Sequence, residues 1–373
     1  PGTTLPDPAV IVLEDGVTFT GEALVGAGSV GGELVFTTDM CGYQEIVTDP
    51  AHCGQLITFT FPMNGDYGAD AERDESDRAH ARAIIAREIT NYRFNRASRQ
   101  TWLDWLAEHG VLAVTGVDTR AVTRHLRDKG ALRAVVSTEP RGVKELRRAA
   151  QRLPLMAGLD LARVVACREP YEAAASQGRS TPELHLVACD FGLTRSLLAR
   201  LTGGGFRVTV VPGNTSAQRI LRMRPDGVLL STGPGDPAAV TYAVKAIERL
   251  LGRVPLLGVG LGHQLLARAL GFDTYKLASG HRGANHPVKD LLSGGVEITA
   301  QDHGFAVREK AVVGAQVTHV NLNDGGVEGL AAPEYYALSV QYRPDPTPDP
   351  RTPWPPLERF RREIERSRHG GGG

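Results

Sequence analysis

The stretch with the most chemical promise is Pro255–Gly271, PLLGVGLGHQLLARALG. An apolar run, a glycine-rich turn and a periodic apolar segment read as strand, tight turn and helix. That order presents a nucleophile at the tip of a strained elbow, beside the backbone N–H groups of the helix start. The tip residue here is Gly260, which has no side chain to attack with. The same residues contain GVGLGH, which approaches a dinucleotide fingerprint. His263 stands in the place of its third glycine, and the run follows the fourth apolar strand of its region rather than the first. A dinucleotide site is therefore not expected. No GxxxxGK[ST] phosphate loop is present either.

Other candidates are weaker. Ser231–Pro237, STGPGDP, fits a tight loop after a strand as well as a loop whose backbone N–H groups face a ligand. The sequence favours neither reading. No HExxH or comparable spacing exists among the eleven histidines, so no metal site is expected. The four cysteines, Cys41, Cys53, Cys167 and Cys189, form no CxxC pair. They are expected to be reduced thiols of a cytoplasmic protein.

The elements that would position these residues fall into two halves. The first half is strand-rich: AVIVLEDGVTFTGEAL turns at Asp15-Gly16, and GELVFTTDMCGYQEIVTDP and GQLITFTFP continue in that style. Arg99–Ser137 then reads as two amphipathic helices around a short strand, Trp102, Leu103, Trp105 and Leu106 marking the first. This half is α+β. Residues 168–183 are polar, small and non-periodic, and read as a linker. Beyond them LHLVACD, FRVTVVP, DGVLLST and PLLGVG alternate with helical segments, which predicts a parallel, doubly wound α/β sheet. Ligands bind at the carboxyl ends of such strands, here DFG, STGPGDP and GVGLGHQ. The strand-rich residues after Val296 are expected to add an edge layer to that sheet. The tail RHGGGG reads as low-complexity and disordered.

Composition sets the limits. The 373 residues suggest two domains, and 42% hydrophobic residues suffice for real cores. Lys+Arg and Asp+Glu are both 42, so the formal net charge is zero. Nucleic acid and anionic membranes are not expected partners. No apolar run approaches the roughly 20 residues needed to cross a bilayer, and the first ten residues carry no signal-peptide pattern.

Nearly end to end, from LEDGVTFTGEA to VQYRPDP, the chain resembles the small, glutaminase subunit of carbamoyl-phosphate synthetase, a triad-type class I glutamine amidotransferase. The stretches MCGYQEIVTDP, GVDTRAVTRHLRDKGALR, GHRGANHPVKDL and THVNLNDGGVEGL carry the resemblance. It implies a large-subunit docking domain over residues 1–167, a linker over 168–183, an amidotransferase-like domain over 184–365 and a tail over 366–373. It also implies a large, ATP-using synthetase subunit as partner. ATP and magnesium would belong to that partner, with no cofactor in this chain. The family triad is a cysteine at the elbow plus a histidine and a glutamate in an H-P-E motif: the thiolate attacks, the imidazole moves the proton and the carboxylate orients it.

Carried onto this chain, the nucleophile position is Gly260, the base position Arg343 and the orienting acid Asp345. Arginine keeps its proton and cannot act as a base. The matching glutamine pocket is Gly233, Gly235, Leu261, Gln264, Gly304 and Phe305, with Leu261 and Gly233 supplying oxyanion-hole amides. Asp39 replaces a serine of the family pattern, Asp302 an asparagine and Thr232 an asparagine. Two new carboxylates thus stand where glutamine's own charges are read, and Arg343 could neutralise one of them. Cys41, His263 and His303 are expected to be structural or idle rather than substitutes for the triad.

Three functions remain open at this point. The first is a small subunit without glutaminase activity that still binds the large subunit and leaves it dependent on free ammonia. The second is a repurposed binding module whose altered pocket holds glutamine or another small amine. The third is an active glutaminase that uses other groups.

Overall fold

The computed structural model describes residues 7–173, 184–344 and 353–370. The chain forms two compact units: Pro1–Met156 with Leu277–Gly283, and Ala157–Lys276 with Ala284–Gly373. The division after Met156 differs from the one expected at 167. Residues past Met156 are tied to the second unit: the Gly158 N–H donates to Asp236 Oδ2 at 2.8 Å and the Cys167 N–H to Asp190 Oδ2 at 2.7 Å. Of the expected linker, residues 174–183 lie outside the described residues.

The first unit is built on β1 (Asp7–Leu13), β2 (Thr18–Val25), β3 (Ser29–Thr37), β4 (Gln55–Phe59), β5 (Met63–Asn64), β6 (Ala83–Ile85), β7 (Glu88–Ile89), β8 (Leu112–Thr115) and β9 (Leu132–Ser137). Its helices are α1 (Tyr43–Thr48), α2 (Trp102–Glu108), α3 (Thr119–Lys129) and α4 (Val143–Arg152). Seven strands close into a barrel in the order β1-β2-β8-β6-β4-β3-β9. The β1–β2 turn falls at Asp15-Gly16, as the sequence suggests, with Gly16 at φ +100°.

The side-chain period of two explains why these strands are apolar throughout. Leu34, Leu56, Ala83, Ile85 and Val114 face one core with Val122 and Leu126 of α3. Their neighbours Val35, Ile57, Ile84 and Ala113 face another, against Ile46 and Val47 of α1 and Trp102 and Trp105 of α2. A strand buried on both faces cannot alternate with polar residues. Val12 and Val135 meet Leu146 and Ala150 of α4 in the same way. One expectation changes here: YQEIVT is the helix α1, not a strand. Its β-prone residues are overridden by tertiary packing, since Tyr43, Ile46 and Val47 at i, i+3, i+4 spacing all bury on one side.

The second unit contains α5 (Ala162–Val165), β10 (Tyr171–Ala173), β11 (Leu184–Asp190), α6 (Arg195–Gly203), β12 (Phe206–Pro212), α7 (Ala217–Arg222), β13 (Gly227–Leu230), α8 (Thr241–Glu248), β14 (Leu256–Val259) and α9 (Leu261–Ala269). It continues with β15 (Asp273–Asp290, of which Leu277–Gly283 belongs to the first unit), β16 (Val296–Arg308), β17 (Gln316–Asn321), β18 (Val327–Ala332), β19 (Ala337–Val340) and α10 (Pro355–Gly370). The ten-stranded sheet runs β10-β12-β11-β13-β14-β19-β18-β16-β15-β17. The pairs β12–β11, β11–β13, β13–β14 and β14–β19 are parallel. The expected doubly wound sheet is therefore present. The expected edge layer differs in one respect: β19 enters the parallel core beside β14, and the strands beyond it in the sheet turn antiparallel, as does β10 at the opposite edge.

Helices cover both faces. Val187, Val228 and Leu256 pack with α8 and α9 on one, while Leu186, Leu229 and Leu257 pack with α6 and α10 on the other. The order β12-β11-β13 places the reversal of winding at β11, so the loops after β11, β13 and β14 share one end. Residues 366–370, expected to be a disordered tail, belong to α10. That helix is anchored by the fully buried Phe360 and Ile364, and near its end Arg368 donates to Asp226 Oδ1 at 2.6 Å. Residues 371–373 lie outside the described residues. Among the described residues no helix is long and apolar enough to cross a membrane.

α10 closes one face of the second core, so its aromatic anchor carries much of that face. Phe360→Ala is expected to lower the unfolding free energy by about 3–5 kcal/mol, the usual cost of removing a buried Phe. Chemical denaturation followed by circular dichroism measures it, and a loss below ~1 kcal/mol would show that α10 is not part of the core.

Candidate functional site

The elbow between β14 and α9 is set by three glycines with different reasons. A Cβ on Gly262 would lie 2.0 Å from the Leu230 carbonyl oxygen, and one on Gly258 would lie 2.7 Å from the Gly262 carbonyl oxygen. At both places the strand and the helix start approach too closely for any side chain. Gly260 is different. A Cβ there would first meet Thr232 Cγ2 at 3.2 Å, a tight but open position. Its constraint is conformational: φ +58°, ψ −114°, a region that costs a non-glycine residue roughly 1–3 kcal/mol. Its N–H donates to the Val340 carbonyl at 3.0 Å, and the Gly262 N–H donates to Ser231 at 2.9 Å. The strained turn of a nucleophile elbow is thus complete in its backbone. Leu261 opens α9, so its N–H is one of the helix's orphan donors.

The STGPGDP loop after β13 is held by its own side chains. Ser231 Oγ accepts from the Phe191 N–H at 2.9 Å and donates to the Thr232 carbonyl at 2.8 Å. Thr232 Oγ1 donates to the Gly192 carbonyl at 2.9 Å. Its hydroxyl proton is therefore committed to the backbone. A Cβ on Gly233 would lie 2.1 Å from the Phe191 carbonyl oxygen, and Gly235 adopts φ +95°. Asp236 Oδ1 accepts from the Ala238 N–H and Oδ2 from the Gly158 N–H, both at 2.8 Å. Of the two readings of this loop, the tight-turn one accounts for each of these residues.

Arg343 follows β19, and its N–H donates to the Ala300 carbonyl at 3.2 Å. Its Nε donates to Asp302 Oδ2 at 2.7 Å. The two side chains are 15% and 4% exposed, so this ion pair is largely out of water. The carboxylate expected to be neutralised by Arg343 is Asp302. Asp39 lies in the first unit, after β3, where Thr37 Oγ1 donates to its Oδ2 at 2.8 Å. Asp345 lies outside the described residues.

The other expected pocket residues in the second unit are tied together. Gln264 Nε2 donates to the Phe305 carbonyl at 2.8 Å and to Gln341 Oε1 at 2.9 Å. Gly304 and Phe305 lie on β16, and the Lys276 ammonium sits 5.1 Å from the centre of the Phe305 ring. Gln341 is a member of this network that sequence reasoning missed, although it precedes Arg343 by two residues in QYR. His303 Nδ1 is 2.7 Å from the Phe305 carbonyl. His263 is fully buried with Nδ1 2.8 Å from Ser339 Oγ, and burial lowers its pKa to about 3. Both histidines make local structural contacts. Cys41 is exposed in the first unit. Burial pushes the Cys167 and Cys189 thiols up to about 12, so neither supplies a thiolate near neutral pH.

Two family descriptions match the chain. "Carbamoyl-phosphate synthase small chain, CPSase domain" matches residues 11–136, and "Glutamine amidotransferase class-I" matches residues 187–361. A "Carbamoyl phosphate synthase small chain" from Syntrophotalea carbinolica is 44% identical over 98% of this chain and 100% of its own length. One from Chlorobaculum tepidum is 45% identical over 92% of this chain and 94% of its own. One from Akkermansia muciniphila is 42% identical over 96% and 98%.

Two measurements follow from this geometry. Arg343→Met leaves Asp302 buried beside an apolar chain and is expected to cost about 3–5 kcal/mol of stability, while Arg343→Met with Asp302→Asn recovers most of it. A double-mutant cycle by denaturation reads the coupling; additive losses would mean that the pair does not act as a unit. The second concerns pH. His263 and His319, with pKa values lowered to about 3 and about 4 by burial, stay neutral in the folded chain while the unfolded chain takes up protons near pH 6.5. Stability is thus full above pH 6.5 and falls as pH drops, by about 1.4 kcal/mol per pH unit for each histidine, down to about pH 4 for His319 and about pH 3 for His263. His263→Gln should flatten that slope, and an unchanged slope would exclude His263 as its source.

Proposed function

The chain belongs to the carbamoyl-phosphate synthase small-chain family, and on that premise we propose that it acts as a cytoplasmic, partner-binding small chain whose own glutaminase site is silent. The partner is the large, ATP- and magnesium-using synthetase subunit, which would draw its nitrogen from free ammonia. One observation carries the reading: the tip of the elbow is Gly260, with a complete backbone turn and no side-chain atom to attack an amide.

Glutamine hydrolysis through a triad needs a nucleophile, a base that takes its proton and an acid that orients the base. At the first position Gly260 offers nothing. At the second Arg343 stays protonated and is committed to Asp302 at 2.7 Å. Thr232 has the nearest hydroxyl-bearing side chain to a Cβ at Gly260, but its Oγ1–H donates to the Gly192 carbonyl. The Leu261 and Gly233 amides could still stabilise an oxyanion, yet a hole without an attacking group gains little. Loss of a triad as a unit costs on the order of 10⁶-fold in rate. The Asp302–Arg343 pair also argues against a pocket recruited for a cationic amine, because the Asp302 charge is already met within the chain.

The test is carbamoyl-phosphate synthesis by this chain assembled with its large subunit. Synthesis with ammonium and not with glutamine, with no ammonia release from glutamine by the chain alone, is the expected result. A glutamine-driven rate comparable to the ammonium-driven one would overturn the silent-site reading. Failure of the two chains to assemble would overturn the partner reading separately.

A further inference from the structure

The second unit contains a half-open cavity of about 300 Å³ lined by the start of β16, β17, β18, β19, the turn after β15 and one side of α10. That is about ten water volumes, the lower end of the range for small-molecule sites. None of its lining residues belongs to the elbow, the STGPGDP loop or the Asp302–Arg343 pair.

The wall is shaped by an irregularity. Along a regular strand, neighbouring side chains point to opposite faces. In β17 the pairing with β18 shifts between Val317 and His319 and again before Val320, and both Thr318 and His319 line the cavity. Bulges of this kind re-aim side chains and are enriched beside binding sites. His319 Nδ1 is 2.8 Å from Thr318 Oγ1, and burial holds the imidazole neutral. Ala331 and Leu338, which pair across β18 and β19 and so share a face, add apolar surface with Pro355.

The charges around this surface cancel in pairs, with one of each sign left over. Arg359 donates to Asp290 Oδ2, and Arg366 pairs with Glu363 at 2.8 Å. Arg362 on α10 and Glu297 on β16 also line the cavity; both are exposed, and neither has a hydrogen-bond or ion-pair partner among the described residues. A simple anion entering here would meet Glu297, and a simple cation would meet Arg362. A molecule carrying both charges on an apolar body satisfies each in turn.

We propose that this cavity binds a small zwitterion of the free α-amino acid class with an apolar side chain, its carboxylate on Arg362, its ammonium on Glu297 and its side chain against Ala331 and Leu338. The ligand occupies a site of its own and is not hydrolysed there. It acts on the chain by stabilising the native second unit and the seat of α10.

The experiment is titration calorimetry and thermal shift on the full chain with L-leucine and L-phenylalanine. N-acetyl-L-leucine, which lacks the ammonium, and L-leucinamide, which lacks the carboxylate, dissect the two charges. Saturable binding by leucine or phenylalanine is expected, with a rise in Tm. Arg362→Gln and Glu297→Gln should each weaken it about tenfold or more. Arg362→Gln should leave leucinamide binding unchanged, and Glu297→Gln should leave that of N-acetyl-leucine unchanged. Both side chains are exposed, so both variants should fold, which circular dichroism checks. No saturable binding of either amino acid at millimolar concentration overturns the proposal. Binding that neither substitution moves places the ligand elsewhere and overturns it as well.

Discussion

The close approach of α9 to the strands beneath it governs the second unit. At Gly258 and Gly262 the backbones come so near that a single carbon would collide. That contact draws the first turn of α9 down onto β13 and β14, where Leu261, Leu265 and Leu266 complete one hydrophobic face. It also forces the reversal at Gly260 into positive φ. The turn, the placement of the Leu261 amide and the hydrogen bond from Gly260 to Val340 follow from this packing. None of them depends on which side chain stands at the tip. A scaffold fixed in this way holds its elbow through backbone packing alone.

The side chains around the elbow are held by a different kind of interaction. Arg343 and Asp302 are both mostly buried, and each is tolerable there because of the other. Gln264 links α9 to β16 and to Gln341 through one amide nitrogen. Such networks fix orientation more than they add stability, because each member leaves a costly orphan if its partner goes. A polar pocket that recognises a ligand keeps donors and acceptors in reserve. This one spends several of them on itself, in the Arg343–Asp302 pair and the bonds of Gln264.

Much of this was legible in the sequence, for reasons that vary by element. The four strands β11 to β14 are apolar because both of their faces are buried, and that pattern needs no knowledge of neighbours. Gly260 was legible from the strand–turn–helix pattern around it, whereas Arg343 was singled out only by the resemblance to the family's H-P-E motif. The place of β19 was not: ALSV reads the same as a parallel core strand or as an antiparallel edge strand, and only the sheet decides. Barrel closure in the first unit depends on pairings between strands far apart in the chain. The helix α1 hides behind β-prone residues, and α10 continues through residues that composition alone assigned to a tail. The shifted pairing in β17 has no signature in QVTHVN, so the cavity behind it and the roles of Arg362 and Glu297 had none either.

The closed barrel of the first unit has one more implication. A sheet that ends in open strands offers its unpaired N–H and C=O groups to any extended chain, and neighbours can join by backbone alone. The ring β1-β2-β8-β6-β4-β3-β9 leaves no such rim. Pairing along the barrel's own strands is therefore closed to a newcomer, which leaves side chains and the segments outside the ring to recognise it. Recognition of that kind is written residue by residue. It can be tuned or retargeted without disturbing the hydrogen bonds that close the ring, and closure protects the barrel strands from indiscriminate pairing with one another's copies.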